Sequence, residues 1–289
     1  MTALTYDVHA KLTLSLRVTG VRADGFHELD ALVVSITSPR DVLTISERSE
    51  PGVRCRVDGG IANVPSDESN LAVRAVKALL PEGAGADLLL EKRIPTGAGL
   101  GGGSADAGAA LVATRHLFAL DVSNDALERI AADIGSDVPF CVRGGAAWMR
   151  GRGERLEPLP AVDSFPVLVA IPPVQCSTPA VYAAWDRLGG PKGTRSVDAP
   201  GSVRALTPTL VNDLEPAAES VAPELIAFRE ALERAAGAPP LLAGSGSAYV
   251  VCFDDVERAE AQAVTVRAEI SDAAVFVGHV ASEASVRRF

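Results

Sequence analysis

A glycine-rich segment, TGAGLGGGSADAG at residues 96–108, is the first candidate for chemistry. It lies between ADLLLEKRI, which predicts a strand, and SADAGAALVATRHLFAL, whose alanine and leucine spacing predicts a buried helix. Glycines ahead of a helix N-terminus leave backbone N–H groups free to bind phosphate, because no Cβ blocks the anion. Ser104 is expected at the N-cap or in the first turn of this helix, and Asp106 near its positive end. A flexible linker is the alternative, but the flanking strand and helix favour a phosphate site.

The residue order in the loop excludes two common phosphate motifs. A Walker loop ends in Gly-Lys-Ser or Gly-Lys-Thr, and this loop contains no lysine. The dinucleotide pattern G-x-G-x-x-G fails at Ser104, where it requires its third glycine. The pattern that remains is P-x-x-x-G-L-G-G-G-S-A, over residues 95–105.

Four other stretches contain residues that could act on a ligand. Lys11 lies in a predicted strand of leucine and threonine, and Asp137 follows a helix stop in GSDVPF. Taken alone, a solvated lysine and a turn or helix-cap aspartate are the ordinary interpretations. Phe26 and His27 follow a tight turn in RADGFHEL, where a lone histidine is more often structural than functional. A second glycine loop, GSGS at residues 244–247, directly precedes a predicted strand.

The elements that would position these residues are a mixture of strands and helices. Alternating or β-branched runs predict strands at 8–20, 26–36, 41–47, 53–59, 86–94, 165–173, 248–253 and 274–280, with a strand pair within 144–160. Helical spacing and caps predict helices at 66–80, 104–120, 123–135, 177–188, 224–237 and 255–270. Residues 189–201 are expected to form a mobile loop. The pattern is mixed α+β in two halves that join near residues 155–165.

Composition limits the partners and the compartment. The chain has 289 residues, 47% of them hydrophobic, and a net charge of −10. That charge argues against nucleic acid and against an anionic membrane, since both need a basic face. The four cysteines are far apart and among apolar neighbours, so free thiols are expected rather than disulfides or zinc. Without a secretory signal or a long apolar stretch, we expect a cytoplasmic protein.

Together, the motifs resemble those of the GHMP kinases, a family of small-molecule kinases that includes galactokinase, homoserine kinase and mevalonate kinase. The ordered blocks are AKLTLSL, RADGFHEL, the 95–105 loop, GSDVPF, STPAVY, VNDLEP and GSGSAYVVCF, and they extend over almost the whole chain. RADGFHEL and GSDVPF are more specific than the glycine loop, because other branches lack them. They are similar to the branch that phosphorylates a cytidyl diphosphate sugar alcohol during isoprenoid precursor synthesis.

The resemblance implies a fold and a set of partners. We expect a two-domain α+β GHMP kinase fold, with an N-terminal S5-like ATP-binding domain over 1–158 and a C-terminal ferredoxin-like domain over 159–289. The expected ligands are ATP, Mg²⁺ and the cytidyl diphosphate alcohol, whose 2-hydroxyl receives the γ-phosphoryl group. A monomer or a homodimer is expected.

The resemblance also assigns roles to residues. Asp137 matches the catalytic aspartate and Lys11 its lysine partner. The residues implied for ATP are Asn70, near the adenine, and Pro95, Gly97, Gly99, Leu100, Gly101, Gly102, Gly103, Ser104 and Ala105, around the phosphates. Those implied for the substrate are Thr13, Phe26, His27, Tyr182, Gly244, Ser245, Gly246 and Ser247. Ser104 could also be a hydroxyl ligand of Mg²⁺, and no protein metal site is expected.

Two departures from the family pattern bear on the substrate. Thr13 stands where an asparagine is usual, and Ala248 where a threonine is usual. Neither removes the expected proton acceptor, Asp137, or the predicted phosphate loop, residues 95–105. Two alternatives therefore stay open: a GHMP kinase for another small alcohol, and a catalytically silent paralogue that binds nucleotide.

Overall fold

The computed structural model describes residues 3–60, 64–159, 163–190, 210–281 and 286–288. The loop predicted over 189–201 lies, from residue 191 onward, outside the described residues. Within the described ranges, the strands are β1 Ala3–Val21, β2 His27–Arg48, β3 Gly52–Asp58, β4 Gly85–Glu91, β5 Ala146–Gly151, β6 Arg155–Pro158, β7 Pro166–Ile171, β8 Leu241–Leu242, β9 Tyr249–Cys252, β10 Ala274–Ala281 and β11 Val286–Arg288. The helices are α1 Leu71–Leu79, α2 Gly102–Leu117, α3 Asn124–Ile134, α4 Val138–Arg143, α5 Thr178–Arg187, α6 Glu215–Val221, α7 Glu224–Ala236 and α8 Val256–Glu269.

The predicted α+β class is confirmed, and most predicted elements are present. The helix predicted at 123–135 is α3, where the Ser123 hydroxyl accepts the Ala126 N–H and Gly135 follows the last turn. The strand predicted at 41–47 is not separate: it is the second half of the long strand β2. Helices α4 and α6 were not predicted, because six or seven residues are too few to establish a helical period. No helix in the described ranges is long and apolar enough to cross a bilayer.

The strands of the described ranges form one continuous sheet with β2 at its centre. Strand β2 pairs antiparallel with β1, β4, β5 and β10. The path then runs from β10 to β7, β9 and β8, while β3 joins β4 and β6 joins β5. The β10–β2 pairing, Val280 with Ile36 and Ala281 with Ser35, connects the two halves of the chain. Backbone hydrogen bonds therefore cross the predicted division at residue 158, and the two domains stay a prediction.

Two register shifts between β1 and β2 flank the stretch of β1 whose side chains reach the ligand side of the sheet. The β1–β2 register shifts between His9 and Ala10 and again between Thr13 and Ser15. Before and after these shifts, the apolar side chains of β1 pack in the larger of two cores, to which the described helices α1–α8 all contribute. Between the shifts, Ala10, Leu12 and Leu14 pack in the second core. The alternate residues Lys11 and Thr13 therefore point away from that core, into a cavity.

Candidate active site

A cavity of about 750 Å³ lies where β1, the start of β2, the phosphate loop, α5 and the second glycine loop meet. It brings together residues that are far apart in the sequence. The predicted site residues that line it are Lys11, Thr13, Phe26, His27, Gly99, Gly101, Ser104, Asp137, Tyr182, Gly244 and Ser245. The cavity is large enough for a nucleotide-sized ligand.

Lys11 and Asp137 form an ion pair on the wall of this cavity. The Lys11 Nζ lies 3.1 Å from the Asp137 Oδ2. The same Nζ donates to the Thr13 hydroxyl at 3.3 Å. Lys11 is 9% exposed, whereas the Asp137 side chain is 34% exposed and so can meet a ligand. The pair therefore offers an accessible carboxylate held beside a buried ammonium group.

The local backbone explains why the Asp137 carboxylate is free for this pair. Asp137 occupies the N-cap position of α4, yet its side chain makes no capping hydrogen bond. Helix α4 packs closely on α2 at Gly108. A Cβ at this position would lie only 2.7 Å from the Cys141 backbone carbon. The absent side chain at Gly108 thus allows the two helices to approach, and this contact sets the position of Asp137.

The phosphate loop packs directly on Lys11. The Lys11 N–H donates to the Leu100 carbonyl at 3.1 Å. Gly101 has a φ of +66°, and a Cβ there would lie 2.6 Å from the Lys11 Cγ. Glycine is therefore required at this position for a left-handed backbone and for the close approach of the lysine. The structure gives this glycine a role in addition to the predicted contact with phosphate.

The second glycine loop touches the first. A Cβ at Gly99 would lie 2.5 Å from the Ala243 carbonyl oxygen, and the Ala248 N–H donates to the Ala98 carbonyl at 3.1 Å. Ala248, the departure from the family pattern, is fully buried and packs in the second core. The two loops close one end of the cavity.

The VNDLEP motif anchors the second loop. The Asn212 side-chain amide donates to the Leu242 and Gly244 carbonyls at 2.8 and 2.7 Å. The neighbouring Asp213 accepts the Val18 N–H at 3.0 Å and an Arg17 hydrogen bond at 3.2 Å. The motif therefore ties the second glycine loop to β1, the strand that carries Lys11.

A buried ion cluster lies beneath the phosphate loop. Lys92 is 2% exposed and donates to Asp41 and to Asp106, the latter at 2.5 Å. Asp41 also accepts the N–H groups of Arg93 and Ile94, at 2.5 and 2.8 Å. The cluster therefore ties the start of the phosphate loop to β2, through Asp41, and to α2, through Asp106.

The charges in this cluster do not balance. One ammonium group faces two carboxylates, and burial disfavours the additional negative charge, so the pKa of Asp106 is raised to about 7. The sequence predicted Asp106 near the positive end of α2 only as a partner of the helix dipole, and it lies just beyond the first turn of that helix. Its partners Lys92 and Asp41 were missed.

The far end of the cavity is aromatic. The His27 ring lies 4.7 Å from the Tyr182 ring and 5.3 Å from the Trp185 ring, centroid to centroid. Phe26 is 51% exposed, and the Arg152 guanidinium lies 5.5 Å from its ring centroid. Tyr182 is partly buried, and the desolvation of its hydroxyl raises the pKa of that group. Sequence reasoning found Phe26, His27 and Tyr182, but missed Trp185 and Arg152.

Several predicted site residues do not line this cavity. Asn70 caps α1: its Oδ1 accepts the Ala72 N–H at 2.9 Å and its Nδ2 donates to the Pro65 carbonyl at 2.7 Å. Its predicted contact with adenine stays a prediction. The others are the loop residues Pro95, Gly97, Gly102 and Gly103, and the buried residues Leu100, Ala105 and Ser247, with Gly246 beside the last.

The fold and the motifs match known proteins. Residues 70–145, which contain α1, the phosphate loop and Asp137, match the family model "GHMP kinases N terminal domain". The chain is 39% identical over 289 residues to a 4-diphosphocytidyl-2-C-methyl-D-erythritol kinase of Saccharopolyspora erythraea, covering 95% of this chain and 89% of the relative. A crystal structure of 4-(cytidine 5'-diphospho)-2C-methyl-D-erythritol kinase aligns with a TM-score of 0.78 and 34% identity, covering 95% and 98% of the two chains.

A more distant match shows the breadth of the fold. The homoserine kinase of Cytophaga hutchinsonii aligns over the whole of this chain and 98% of its own, with a TM-score of 0.71 at 19% identity. The family model and the 39% identical relative show that the chain belongs to the GHMP kinase family. Within that family, similarity over almost the whole length groups it with the 4-diphosphocytidyl-2-C-methyl-D-erythritol kinases. The resemblance inferred from the motifs is confirmed.

Proposed function

We propose that this kinase transfers the γ-phosphoryl group of ATP to the 2-hydroxyl of 4-diphosphocytidyl-2-C-methyl-D-erythritol. The observation that carries the proposal is the cavity itself. It joins the Lys11–Asp137 pair and the phosphate loop at one end to an aromatic cluster at the other. A substrate with a reacting hydroxyl and a distant pyrimidine fits that arrangement, and the relatives carry the name of the same activity.

Asp137 is the proposed proton acceptor. As the hydroxyl oxygen bonds to the γ-phosphorus, the bond from that phosphorus to the β–γ bridging oxygen breaks, and ADP leaves. The hydroxyl proton passes to Asp137, which must therefore be ionised and within hydrogen-bond reach. Lys11, whose Nζ lies 3.1 Å from the Asp137 carboxylate, offsets charge on the transferring group.

The two glycine loops are proposed to align the phosphates. Gly99, Gly101 and Ser104 from the first loop, and Gly244 and Ser245 from the second, line the same end of the cavity. The transition state of phosphoryl transfer is thought to be loose, so alignment and charge stabilisation provide most of the rate. The buried cluster of Lys92, Asp41 and Asp106 holds the loop for that purpose.

The residues present also fit Mg²⁺ bound mainly by ATP. The described residues contain no group of three acidic, histidine or cysteine side chains that could hold a metal. Mg²⁺ in kinases usually takes few protein ligands and several phosphate oxygens. The Ser104 hydroxyl, on the cavity wall at the start of α2, is the residue that would join them. When bound, the ion would neutralise phosphate charge.

Thr13 is proposed to position the hydroxyl-bearing end of the substrate. Its hydroxyl accepts the hydrogen bond from Lys11 that an asparagine oxygen could also accept. The departure from the family pattern therefore keeps a polar partner for Lys11. At the other end, Phe26, His27 and Tyr182 are proposed to bind the cytosine. The division into domains 1–158 and 159–289, the cytoplasmic location and a monomeric or homodimeric state belong to the same proposal.

A substrate panel tests the proposal. ADP release would be measured with the cytidyl substrate, mevalonate and homoserine at equal concentrations, with Mg²⁺ and ATP saturating. We expect turnover of the cytidyl substrate alone. Turnover of another alcohol in its place would contradict the substrate, and ATP binding without turnover of any alcohol would indicate a silent paralogue.

A further inference from the structure

The His27 imidazole makes a contact that the proposed chemistry does not use. Its Nε2 lies 2.9 Å from the Oδ1 of Asp186. A carboxylate oxygen only accepts hydrogen bonds, so the proton of a neutral imidazole in this contact is on Nε2. The opposite nitrogen, Nδ1, has no hydrogen-bond partner among the residues that the structure describes. The ring lines the cavity.

Helix α5 holds the ring on three sides. Tyr182, Trp185 and Asp186 are spaced i, i+3 and i+4, so they share one face of the helix. The Tyr182 ring lies 4.7 Å from the imidazole at an interplanar angle of 37°, and the Trp185 ring lies 5.3 Å away at 88°. The two aromatic rings set the plane of the imidazole. The remaining freedom, which nitrogen carries the proton, is decided by Asp186.

We propose that Asp186 is a positioning residue that fixes His27 as the Nε2–H tautomer and thereby makes the site selective for cytosine over uracil. The inference rests on the proposed function, in which His27 contacts the base. With the proton on Nε2, Nδ1 is an acceptor. It matches the 4-amino group of cytosine, a donor, and it opposes the 4-carbonyl oxygen of uracil, an acceptor. Cytosine would therefore make a hydrogen bond to Nδ1, whereas uracil would place its 4-carbonyl oxygen against Nδ1, two acceptors with no proton between them.

Selective binding of diphosphates tests the proposal without turnover. The affinities of CDP and UDP would be measured by calorimetry, with a non-hydrolysable ATP analogue saturating the nucleotide site. We expect the wild type to bind CDP about tenfold more tightly than UDP, the effect of one unsatisfied hydrogen-bond pair. Asp186→Ala should bring the two affinities within about twofold of each other, mainly by weakening the binding of CDP. Asp186→Asn should lie between, because its amide can accept or donate.

Two controls separate positioning from a structural effect. Asp133→Asn makes the same change at an exposed position of α3, outside the cavity, and should keep the full selectivity. Nitrogen-15 spectra of the imidazoles, at about pH 8, report the tautomer directly. The chain has four histidines, and His27→Gln identifies the relevant signals by their loss. We expect Nε2–H in the wild type and a mixture of tautomers in Asp186→Ala.

The outcomes are distinct. Retained CDP selectivity in Asp186→Ala, or a His27 ring protonated on Nδ1 in the wild type, overturns the role of Asp186. If the tautomer and the selectivity are as expected but the cytidyl alcohol is not phosphorylated in the panel above, the positioning role stands and the proposed reaction fails.

Discussion

At the scale of single residues, the proposed chemistry depends on a lysine and an aspartate whose sequence contexts look ordinary. Lys11 interrupts a run of leucine and threonine, and Asp137 sits where a helix cap is common. Only the motif resemblance predicted a functional role for both. Their 3.1 Å contact could not be predicted from local pattern. It arises because register shifts between β1 and β2 flank Lys11 and because the Asp137 side chain leaves its cap unused.

Asp137→Asn tests the proton acceptor. The amide keeps the shape of the carboxylate but cannot accept the hydroxyl proton, so kcat should fall about 100-fold or more, the scale of general-base catalysis. The KM for ATP should change little, since Asp137 is not part of the phosphate loop. Steady-state kinetics on the cytidyl substrate would measure both. Retention of most of the wild-type kcat would exclude Asp137 as the base.

At the scale of elements, the strand–loop–helix order around the phosphate loop was predicted correctly, but its supporting cluster was not. The sequence did contain a signal for this cluster. Leu88 and Leu90 lie on one face of β4 and are buried, and Lys92, just after the strand, follows the same alternation. A charged residue at the end of such a face indicates a buried partner. Which carboxylates supply it depends on β2 and α2 meeting there, and only the fold determines that.

Two glycines of the loop give a paired test of phosphate binding. A Cβ at Gly103 would have only Leu71 near it, at 3.9 Å, whereas one at Gly102 would lie 3.0 Å from the Ile94 Cγ2. Gly103→Val should therefore fold normally and weaken ATP binding about tenfold or more, by blocking the approach of the anion to the N-terminus of α2. Calorimetry with ATP and circular dichroism would measure affinity and fold.

Gly102→Val is the comparison variant in that experiment. Its branched side chain meets Ile94 inside the protein, so we expect a lower melting temperature as well as weaker ATP binding. A folded Gly103→Val variant with wild-type ATP affinity would mean that the phosphates lie elsewhere.

The buried cluster predicts unequal losses of stability when its cation or one of its carboxylates is removed. Lys92→Met leaves the Asp41 and Asp106 carboxylates buried without a cation, so the free energy of unfolding should fall by about 3–5 kcal/mol. Asp106→Asn instead removes the additional negative charge, and it should be far milder. Urea denaturation of both variants at neutral pH would measure the difference. A smaller loss for Lys92→Met than for Asp106→Asn would contradict the excess of negative charge in this cluster.

The same cluster predicts a pH dependence with a definite sign. An unfolded aspartate titrates near pH 4, whereas the pKa of Asp106 is raised to about 7 in the fold. Between these values the folded protein keeps a proton that the unfolded chain has released, so the contribution of Asp106 to stability is lost as the pH rises through about 7. Asp106→Asn should lack this loss, so its free energy of unfolding should increase relative to that of the wild type as the pH rises from about 5 to about 8. The exposed Asp121→Asn is the control, and an equal pH dependence in all three proteins would contradict the raised pKa.

At the scale of the whole molecule, sequence pattern predicted the α+β class and the order of elements, but not how the halves join. The family resemblance implied two domains divided at residue 158. The described strands form a continuous sheet that crosses this division through the β2–β10 pairing. The second core is also shared: Leu12 and Leu14 come from the first half, and Val167 and Val250 from the second. Pairings between distant strands are not encoded in local periodicity, so this joint could not be predicted.

The shared sheet and core predict that the chain unfolds as one cooperative unit. The two tryptophans are suited to the test, because Trp148 lies in β5 of the first half and Trp185 in α5 of the second. Both are buried, and neither indole N–H has a hydrogen-bond partner among the described residues, so phenylalanine should replace either at modest cost.

In Trp148→Phe the remaining fluorescence reports the second half, and in Trp185→Phe it reports the first. Each variant would be unfolded in urea, with far-ultraviolet circular dichroism recorded in parallel as the signal of the whole chain. We expect the fluorescence and dichroism midpoints to coincide within each variant, the mark of a single cooperative transition. Separate midpoints, with one tryptophan environment lost while the other persists, would mean that residues 1–158 and 159–289 are independent folding units. The β2–β10 pairing would then be a contact between finished domains, not part of one fold.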